Sequence, residues 1–593
     1  MFKKKTFTVV IILSLVLAAS IMLSACNKDE SSPEQTTGAP VTTDESAEDA
    51  TETEAPIVQL DVFSASTAAV SAAGVYDNTW WGKILIDKIG VSLNILPSGD
   101  QATEKLQALM AGGELPDIVI FNTTKNLQNA IRGEMLVNLD DYMAQLPNVA
   151  GNIPKALQYY RDNISNDTGN VYGIPSGVGP ANLGVEPNWG PYLRWDLYTE
   201  AGSPAVATYD DYLSALKAMQ DIQPTTEDGK NVYGITLWKD WDSYSMFMAT
   251  ELSPTLGTDC GDQLSQLPYL QVDFTTGETK NTLDKDSEYI HALSFYFQAN
   301  QMGLLDPDSL TQTYDTAKSK ITEGRVLFSW WSWLNDAYNT TNNTDADEPT
   351  GFAAVLPENA KIMIAGDNNI GGDNPIAIGA ATENLDACLK YVDFMYSADG
   401  LQELYNGPEG VTWTLDSSNK AVLTEEAWTY INDLTLDLPS GGKFGDGTRL
   451  LGFNGLSLAF INPATEEPIE YKLWSSTKEY VAENQTKLQK DWSSVYDYQN
   501  TIDYIKGESM VVEIPLAKSL ITPMTDDIST TASRIGDIVT EYSWKMVFAQ
   551  DEAEFDSLYE EMKVKAEGLG LQDVYESSLA GWNEALANAA SYE

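Results

Sequence analysis

Two short segments of the sequence combine tryptophans with polar side chains at close spacing. Residues 330–333 are WWSW, and residues 238–242 are WKDWD. A tryptophan ring can cover the apolar C–H face of a sugar, and carboxylates or amides can hydrogen-bond the hydroxyls at its rim. These segments therefore predict a carbohydrate-binding surface. The candidate ligand contacts in them are Trp238, Asp240, Trp241, Asp242, Trp330, Trp331 and Trp333.

Each segment is also typical of a structural role. If residues 325–330 form a strand, alternation sends one of the three tryptophans at its end into the core. Residues 238–242 equally fit a solvated loop with one packing tryptophan. Both segments follow predicted strands, at 233–238 and 325–330, so a strand end would position each of them.

Five further residues are candidate ligand contacts. Trp80 precedes Trp81, which fits the buried face of a helix, so only Trp80 of this pair is a candidate. Trp189, Glu409 and Trp413 lie in loops marked by glycine and proline, where ligand contact and simple capping are both typical. Arg194 could position a ligand or form an ion pair between helices.

Other chemistries find little support in the sequence. The single histidine, His291, lies in a helical pattern and excludes His-rich zinc motifs and the usual Ser-His-Asp triad. There is no glycine-rich phosphate loop. Pairs of carboxylates are expected by chance among 87 acidic residues, and a net charge of −52 leaves no basic footprint for nucleic acid. We expect no catalytic residue, no metal ion, no cofactor and no nucleic-acid partner.

The first 56 residues predict export and attachment to a membrane. Lysines at 3–5 precede an apolar run at 7–23, and Leu23-Ser24-Ala25-Cys26 follows as a lipobox. Residues 1–25 are thus a predicted lipoprotein signal peptide with Cys26 as the lipidation site. The alternative, a transmembrane anchor, would need a longer apolar run. Residues 26–56 are rich in Ser, Thr and acidic residues and predict a disordered tether.

The segment after the tether has the pattern of an α/β domain. Apolar alternation predicts strands at 57–63 and 91–95, and a short apolar run predicts a third strand at 118–121. A helix carrying Trp81 lies between the first two strands, and a helix that ends at Gly112-Gly113 precedes the third. This β-α-β-α-β order predicts a mainly parallel sheet with helices on its faces.

Several segments, taken in order, resemble family 1 extracellular solute-binding proteins, the class that includes maltose-binding protein. The segments are AGGELPDI at 111–118, GEMLVNLDDY at 133–142, YGIP at 172–175, LRWDL at 193–197, ITEGRVLFSWWSW at 321–333 and the helix and loop of 385–413. Each motif is short, but their order matches the family from about residue 57 to 413.

The resemblance implies a periplasmic-binding-protein-like type II fold. Two lobes, each with a mainly parallel or mixed sheet flanked by helices, would hold the ligand in the cleft between them. By analogy lobe 1 comprises 57–176 plus 366–410, and lobe 2 comprises 177–365 plus 411–593. The chain would return to lobe 1 near residues 369–373, where two glycines could act as a hinge.

The resemblance also implies a function. The chain would capture a carbohydrate, an oligosaccharide by its length, on the extracellular face of the membrane and deliver it to the permease of an ABC transporter, acting as a monomer. The alternatives are a surface glycoside hydrolase and a binding protein for a peptide or another solute. Some large family members carry a calcium loop, but residues 225–231 lack its alternating ligands, so we predict no calcium.

The two cysteines beyond Cys26 carry less information. Cys388 lies on the apolar stripe of a predicted helix and is expected to be a buried thiol. Cys260 lies in a polar turn flanked by glycine. The spacing leaves a bond between them open.

Overall fold

The structure is a computed structural model that describes residues 56–66, 68–69, 73–261, 263–522 and 524–592. The predicted signal peptide, Cys26 and nearly all of the tether lie outside the described residues. The lipid anchor and the disordered tether therefore stay predictions. Among the described residues, none of the helices combines the length and apolar character needed to cross a membrane. Cys260 and Cys388 are both buried and free, so the bond left open by their spacing is absent.

The strands of the described residues are short, most of them two to five residues long. In chain order they are β1 (Val58–Ser64), β2 (Gly74–Val75), β3 (Val91–Ile95), β4 (Ile118–Ile120), β5 (Ile174–Ser176), β6 (Trp189–Arg194), β7 (Thr258–Asp259), β8 (Leu270–Asp273), β9 (Thr279–Asn281), β10 (Phe328–Trp331), β11 (Phe352–Ala354), β12 (Ile362–Ile364), β13 (Gly372–Ile378), β14 (Trp413–Leu415), β15 (Ala421–Leu423), β16 (Ile461–Asn462), β17 (Glu467–Pro468) and β18 (Val511–Glu513).

The α-helices are longest at the C-terminal end of the chain. They are α1 (Trp80–Ile89), α2 (Ala102–Gly112), α3 (Thr124–Arg132), α4 (Pro147–Asn152), α5 (Pro154–Tyr159), α6 (Trp195–Glu200), α7 (Asp211–Ile222), α8 (Phe247–Thr250), α9 (Glu288–Gln301), α10 (Tyr314–Thr322), α11 (Ser332–Asn335), α12 (Thr341–Thr344), α13 (Leu385–Phe394), α14 (Ala398–Asn406), α15 (Ala427–Asn432), α16 (Thr448–Leu451), α17 (Ser475–Glu483), α18 (Lys487–Tyr496), α19 (Thr501–Gly507), α20 (Asp526–Val547), α21 (Glu552–Leu569) and α22 (Leu571–Ala589).

The largest sheet contains the β-α-β-α-β unit predicted from the sequence. Its strand order is β2-β3-β1-β4-β13-β5, and β1 pairs in parallel with both β3 and β4. Helix α1 begins where the Thr79 side chain accepts a hydrogen bond from the Gly82 backbone N–H, and it ends at Gly90 with φ of 70°. The sheet is mixed, because β13 runs antiparallel between β4 and β5.

A smaller antiparallel sheet positions one of the two tryptophan segments. In it β6 lies between β10 and β11. The predicted strand at 325–330 is shifted to Phe328–Trp331, and its pairing with β6 slips between Ser329 and Trp331. The predicted strand at 233–238 is wrong, because Tyr233 and Ile235 form only isolated bridges to Val326 and Leu305.

Two large clusters of buried side chains accompany these sheets. The first core gathers residues of 60–178 and 376–474, and the second core gathers residues of 189–364 and 488–574. The sequence-based boundary put all of 411–593 in lobe 2. The structure instead packs 413–474 in the first core, because Trp413, Phe444 and Trp474 bury their rings there. The division into two lobes itself stays a prediction.

Candidate ligand-binding site

A cavity of about 570 Å³ lies where segments of the two cores meet; we call it the cleft cavity. Its volume falls within the few hundred to about 1,000 Å³ typical of small-ligand sites. The chain between β5 and β6 and the chain after β12 both contribute to its wall. The lining residues come from segments 177–183, 186–189, 332–333, 363–368 and 514–519, together with Gln263, Ser457 and Ile502.

An aromatic surface reaches the cleft cavity through Trp333, whose side chain is 41% exposed. The Trp241 and Tyr314 rings stack at 4.8 Å between centroids, and the Trp333 centroid lies 6.3 Å from Trp241 and 6.2 Å from Tyr314. We call these three residues the aromatic platform. Their partly exposed rings offer flat apolar faces of the kind that cover the C–H face of a sugar.

The platform shows that the two tryptophan segments, separated by about ninety residues of chain, lie together. Beneath the platform, the buried rings of Trp238 and Trp331 contact each other with centroids 5.6 Å apart. Trp331 also lies 5.6 Å from Trp333. Strand alternation predicted one tryptophan of 330–333 in the core. The structure buries both Trp330 and Trp331, because the pairing of β10 with β6 slips between Ser329 and Trp331 and interrupts the alternation.

The two carboxylates of 238–242 hold the platform in place instead of facing the cleft cavity. Asp240 accepts a hydrogen bond from the backbone N–H of Tyr314 at 3.0 Å. Asp242 accepts hydrogen bonds from Trp544 Nε1 at 2.7 Å and from the backbone N–H of Phe247 at 3.0 Å. Burial raises the pKa of Asp242 to about 6. Neither residue lines the cleft cavity, so their predicted ligand contact is not seen.

Three predicted tryptophans are enclosed in the protein and cannot stack on a solute in this structure. Each is at most 4% exposed. Their Nε1 groups donate to protein acceptors: Trp80 to the Lys443 carbonyl at 2.9 Å, Trp330 to the Tyr296 hydroxyl at 2.7 Å, and Trp413 to the Gly407 carbonyl at 2.8 Å. An indole that is buried with its N–H satisfied is a packing residue.

The remaining candidates have different surroundings. Arg194 is 2% exposed and forms a two-pronged ion pair with Asp196, two residues along the chain, so the interhelical pair that we considered is absent. Glu409 is exposed in the turn before β14 and lies away from the cleft cavity. Trp189 is 8% exposed and does line the cavity, beside Trp333.

Glu186 lines the cleft cavity and is not predicted by any sequence pattern. The residue is exposed at the cavity wall, and the protein around its carboxylate desolvates that group. This desolvation raises its pKa to about 7, although hydrogen bonds with Thr501 and Tyr192 favour the charged form. Glu186 follows a glycine-flanked loop and is one carboxylate among 87 acidic residues, so only the folded chain singles it out.

The polar groups on the opposite wall are also absent from the sequence-based set. Asp367 accepts a hydrogen bond from the Ala181 backbone N–H at 3.1 Å, and Asn368 accepts one from the Gly371 N–H at 2.9 Å. The Asp367 bond joins the two crossing segments, as do the backbone hydrogen bonds that Gly179 and Asn368 exchange at 2.9 Å each, whereas the bond between Asn368 and Gly371 is local. Among the described residues, no group of three or more histidine, cysteine, aspartate or glutamate side chains is arranged to hold a metal ion.

Residues 86–431, more than half of the chain, match a family described as bacterial extracellular solute-binding protein. The chain belongs to this family. A cavity between two cores with an aromatic wall fits such a protein, and the family consists of proteins that bind solutes. No curated protein sequence matches the chain.

Solved structures of low sequence identity share the fold. An HMO-binding, ABC-transporter-associated solute-binding protein of Bifidobacterium longum infantis is 16% identical with a TM-score of 0.53, covering 89% of this chain and 98% of its own. The N-glycan transport solute-binding protein of Streptococcus pneumoniae is 14% identical with a TM-score of 0.52, covering 90% and 100%. The alginate-binding protein AlgQ2 is 15% identical with a TM-score of 0.51, covering 89% and 98%. These likenesses confirm the predicted periplasmic-binding-protein-like α/β fold.

Proposed function

We propose that this solute-binding protein captures an oligosaccharide outside the cell for import by an ABC transporter. The observation that carries the proposal is the aromatic platform at the cleft cavity, where Trp333 presents a large exposed ring. An exposed indole ring is costly to leave in water and suits the C–H face of a sugar.

The opposite side of the cleft cavity supplies groups for sugar hydroxyls. Asn182, Asp367 and Lys518 line it and offer both donors and acceptors, and Asn188 adds an amide beside Ser332. A ligand with an apolar face and a polar rim would satisfy both walls at once. An apolar solute would leave the polar wall unused.

The similar structures support the same class of ligand. They are an HMO-binding protein, an N-glycan transport protein and an alginate-binding protein, and the first is associated with an ABC transporter. At such low identity these ligands belong to those proteins. They make a carbohydrate the first class of ligand to test on this one.

In this proposal the protein binds its ligand without chemical turnover and works as a monomer with two lobes. Lobe 1 would follow the first core and lobe 2 the second core, with crossings at 177–182, 366–373 and 475–487. Ligand that contacts both walls would favour a closed arrangement by its differential affinity for that form. Small-angle scattering should then give a smaller radius of gyration with saturating ligand, and identical curves would contradict closure.

A glycan-binding screen followed by titration calorimetry tests the proposed ligand. The mature protein should bind members of a panel of plant, microbial and host oligosaccharides with one site per chain. The same mixtures, analysed by chromatography after long incubation, should contain the glycan unchanged. Binding of peptides alone would contradict a carbohydrate ligand, and release of sugar beyond the amount of protein would identify an enzyme.

Attachment to the membrane is tested at Cys26. In cells that produce the natural protein, Cys26→Ser should move it from the membrane fraction to the soluble or secreted fraction, because the thiol that accepts the lipid is gone. A protein that stays in the membrane fraction after this change has another anchor.

A further inference from the structure

A second cavity, of about 320 Å³, adjoins the cleft cavity; we call it the side cavity. Three residues line both cavities: Glu186, Ser332 and Ile502. The side cavity extends from this junction between the segment after Gly184, helix α18 and the start of α19. The two cavities are therefore adjacent and share part of their lining.

Residues of the short helix α11 line both cavities. Its residues follow β10, and successive side chains point to different sides: Trp333 lines the cleft cavity, Ser332 lines both, and Asn335 lines the side cavity. A ligand that stacks on Trp333 is thus within one helical turn of the side cavity.

Asn335 marks the side cavity as more than a packing gap. The residue is 3% exposed, and its side-chain oxygen has no hydrogen-bond partner among the described residues. A buried acceptor without a partner costs free energy in the folded protein, and such groups need a reason to persist. A hydroxyl group entering the side cavity could donate the missing hydrogen bond.

The rest of the lining is polar and carries both signs of charge. Glu186, Asp336 and Asp503 line the side cavity together with Lys472, Lys478 and Lys506, and the amides of Asn339, Gln485 and Gln489 lie among them. Trp492 also lines it, but this ring is 5% exposed and its Nε1 donates to the Ala354 carbonyl at 2.8 Å, so it packs in the protein. Such a lining offers donors and acceptors for the hydroxyl groups of a sugar unit.

We propose that the side cavity is a second subsite, which takes a branch or terminal unit of the oligosaccharide whose main chain occupies the cleft cavity. This inference rests on the proposed function. It predicts that the ligand is a branched or elongated glycan that turns past Ser332, with Asn335 accepting a hydrogen bond from the unit in the side cavity.

Two substitutions test the subsite by different means. Asn335→Leu removes the unpartnered oxygen with little change in size, and the melting temperature should stay equal or rise because a buried unsatisfied group is lost. Ala482→Trp places a bulky ring at the partly exposed rim of the side cavity. Glu479→Trp, on the same helix α17 but outside the lining, is the matched control.

The ligands are the tightest-binding glycan from the screen and the same glycan with single terminal or branch units removed. The wild type and Glu479→Trp should lose about tenfold in affinity when one particular unit is removed. Asn335→Leu and Ala482→Trp should bind the intact glycan about tenfold more weakly and the trimmed glycan as the wild type does. Calorimetry measures both affinities.

Equal binding of the intact glycan by all four proteins, with the melting temperatures preserved, would overturn the subsite while leaving the proposed function in place. Failure of the wild type to bind any glycan would overturn the proposed function and the subsite with it. Affinity that falls equally for intact and trimmed glycans would also overturn it, because the side cavity would then act only on the shape of the cleft.

Discussion

Tryptophan rings are buried in the first core but partly exposed at the aromatic platform. In the first core, Trp80, Trp413 and Trp474 are at most 4% exposed, and each donates its Nε1 hydrogen to a backbone carbonyl. At the aromatic platform, Trp333 is 41% exposed, and its ring centroid lies 5.6 Å from that of Trp331. The residue type is the same in both regions. What differs is whether the ring lies inside a layer of helices or beyond the end of a strand at a cavity.

The first prediction concerns the buried region and has the largest effect. Trp80→Ala removes a ring that is 1% exposed, together with its hydrogen bond to the Lys443 carbonyl. The free energy of unfolding should fall by about 3–5 kcal/mol, since a large cavity is left in the core. Denaturant unfolding followed by tryptophan fluorescence measures it. Trp428→Ala, which removes a half-buried ring, should cost less; equal losses would mean that the comparison of regions is wrong.

The second prediction concerns the platform. Trp333→Ala should weaken binding of the best glycan about tenfold, which is about 1.4 kcal/mol, because one stacking face at the cleft cavity is lost. Its melting temperature should stay close to the wild-type value, since a ring that is 41% exposed contributes less packing than a buried one. Trp331→Ala, at the buried neighbour, should instead lower the melting temperature. Unchanged affinity in Trp333→Ala would show that the platform does not contact the ligand.

The third prediction has the smallest effect and concerns the junction of the two cavities. Burial raises the pKa of Glu186 to about 7 from an ordinary 4.5. The folded state therefore favours the protonated form, and the stability that this provides is full below pH 4.5 and is lost as the pH rises through about 7. Glu186→Gln stays neutral, so it should match the wild type in acid and melt at a higher temperature above pH 7.

The pH series of ligand-free wild type and Glu186→Gln, recorded by scanning calorimetry, decides this prediction. A difference in melting temperature that does not change with pH would mean that Glu186 keeps its ordinary pKa.

Local patterns in the sequence predicted the parallel part of the large sheet correctly. Strands β1, β3 and β4 and helices α1 and α2 all lie within a few residues of their predicted positions, because period and capping are local properties of the chain. The fold class follows from this order. Even the end of α2 at Gly113, with φ of 72°, is encoded by neighbouring residues.

Tertiary contacts decided the features that the sequence did not predict. Residues 233–238 have a strand pattern but find no regular partner, and their neighbours Asp240 and Asp242 bind Tyr314 and Trp544 from distant helices. The placement of 413–474 in the first core likewise depends on contacts with residues far away along the chain. Glu186 is a site residue only because two cavities meet beside it.

The insertion of β13 into the middle of the large sheet has a consequence for the order of folding. Strands β4 and β5 are complete by residue 176, yet the strand that separates them is supplied by Gly372–Ile378. Until that segment is available, β4 has an unpaired edge exposed to any other extended chain. Closing a loop of this length is slow, because the pairing joins strands that lie far apart in the sequence. The sheet is therefore expected to form late, and a polypeptide that emerges N-terminus first needs the edge of β4 protected until nearly two thirds of the sequence has been made.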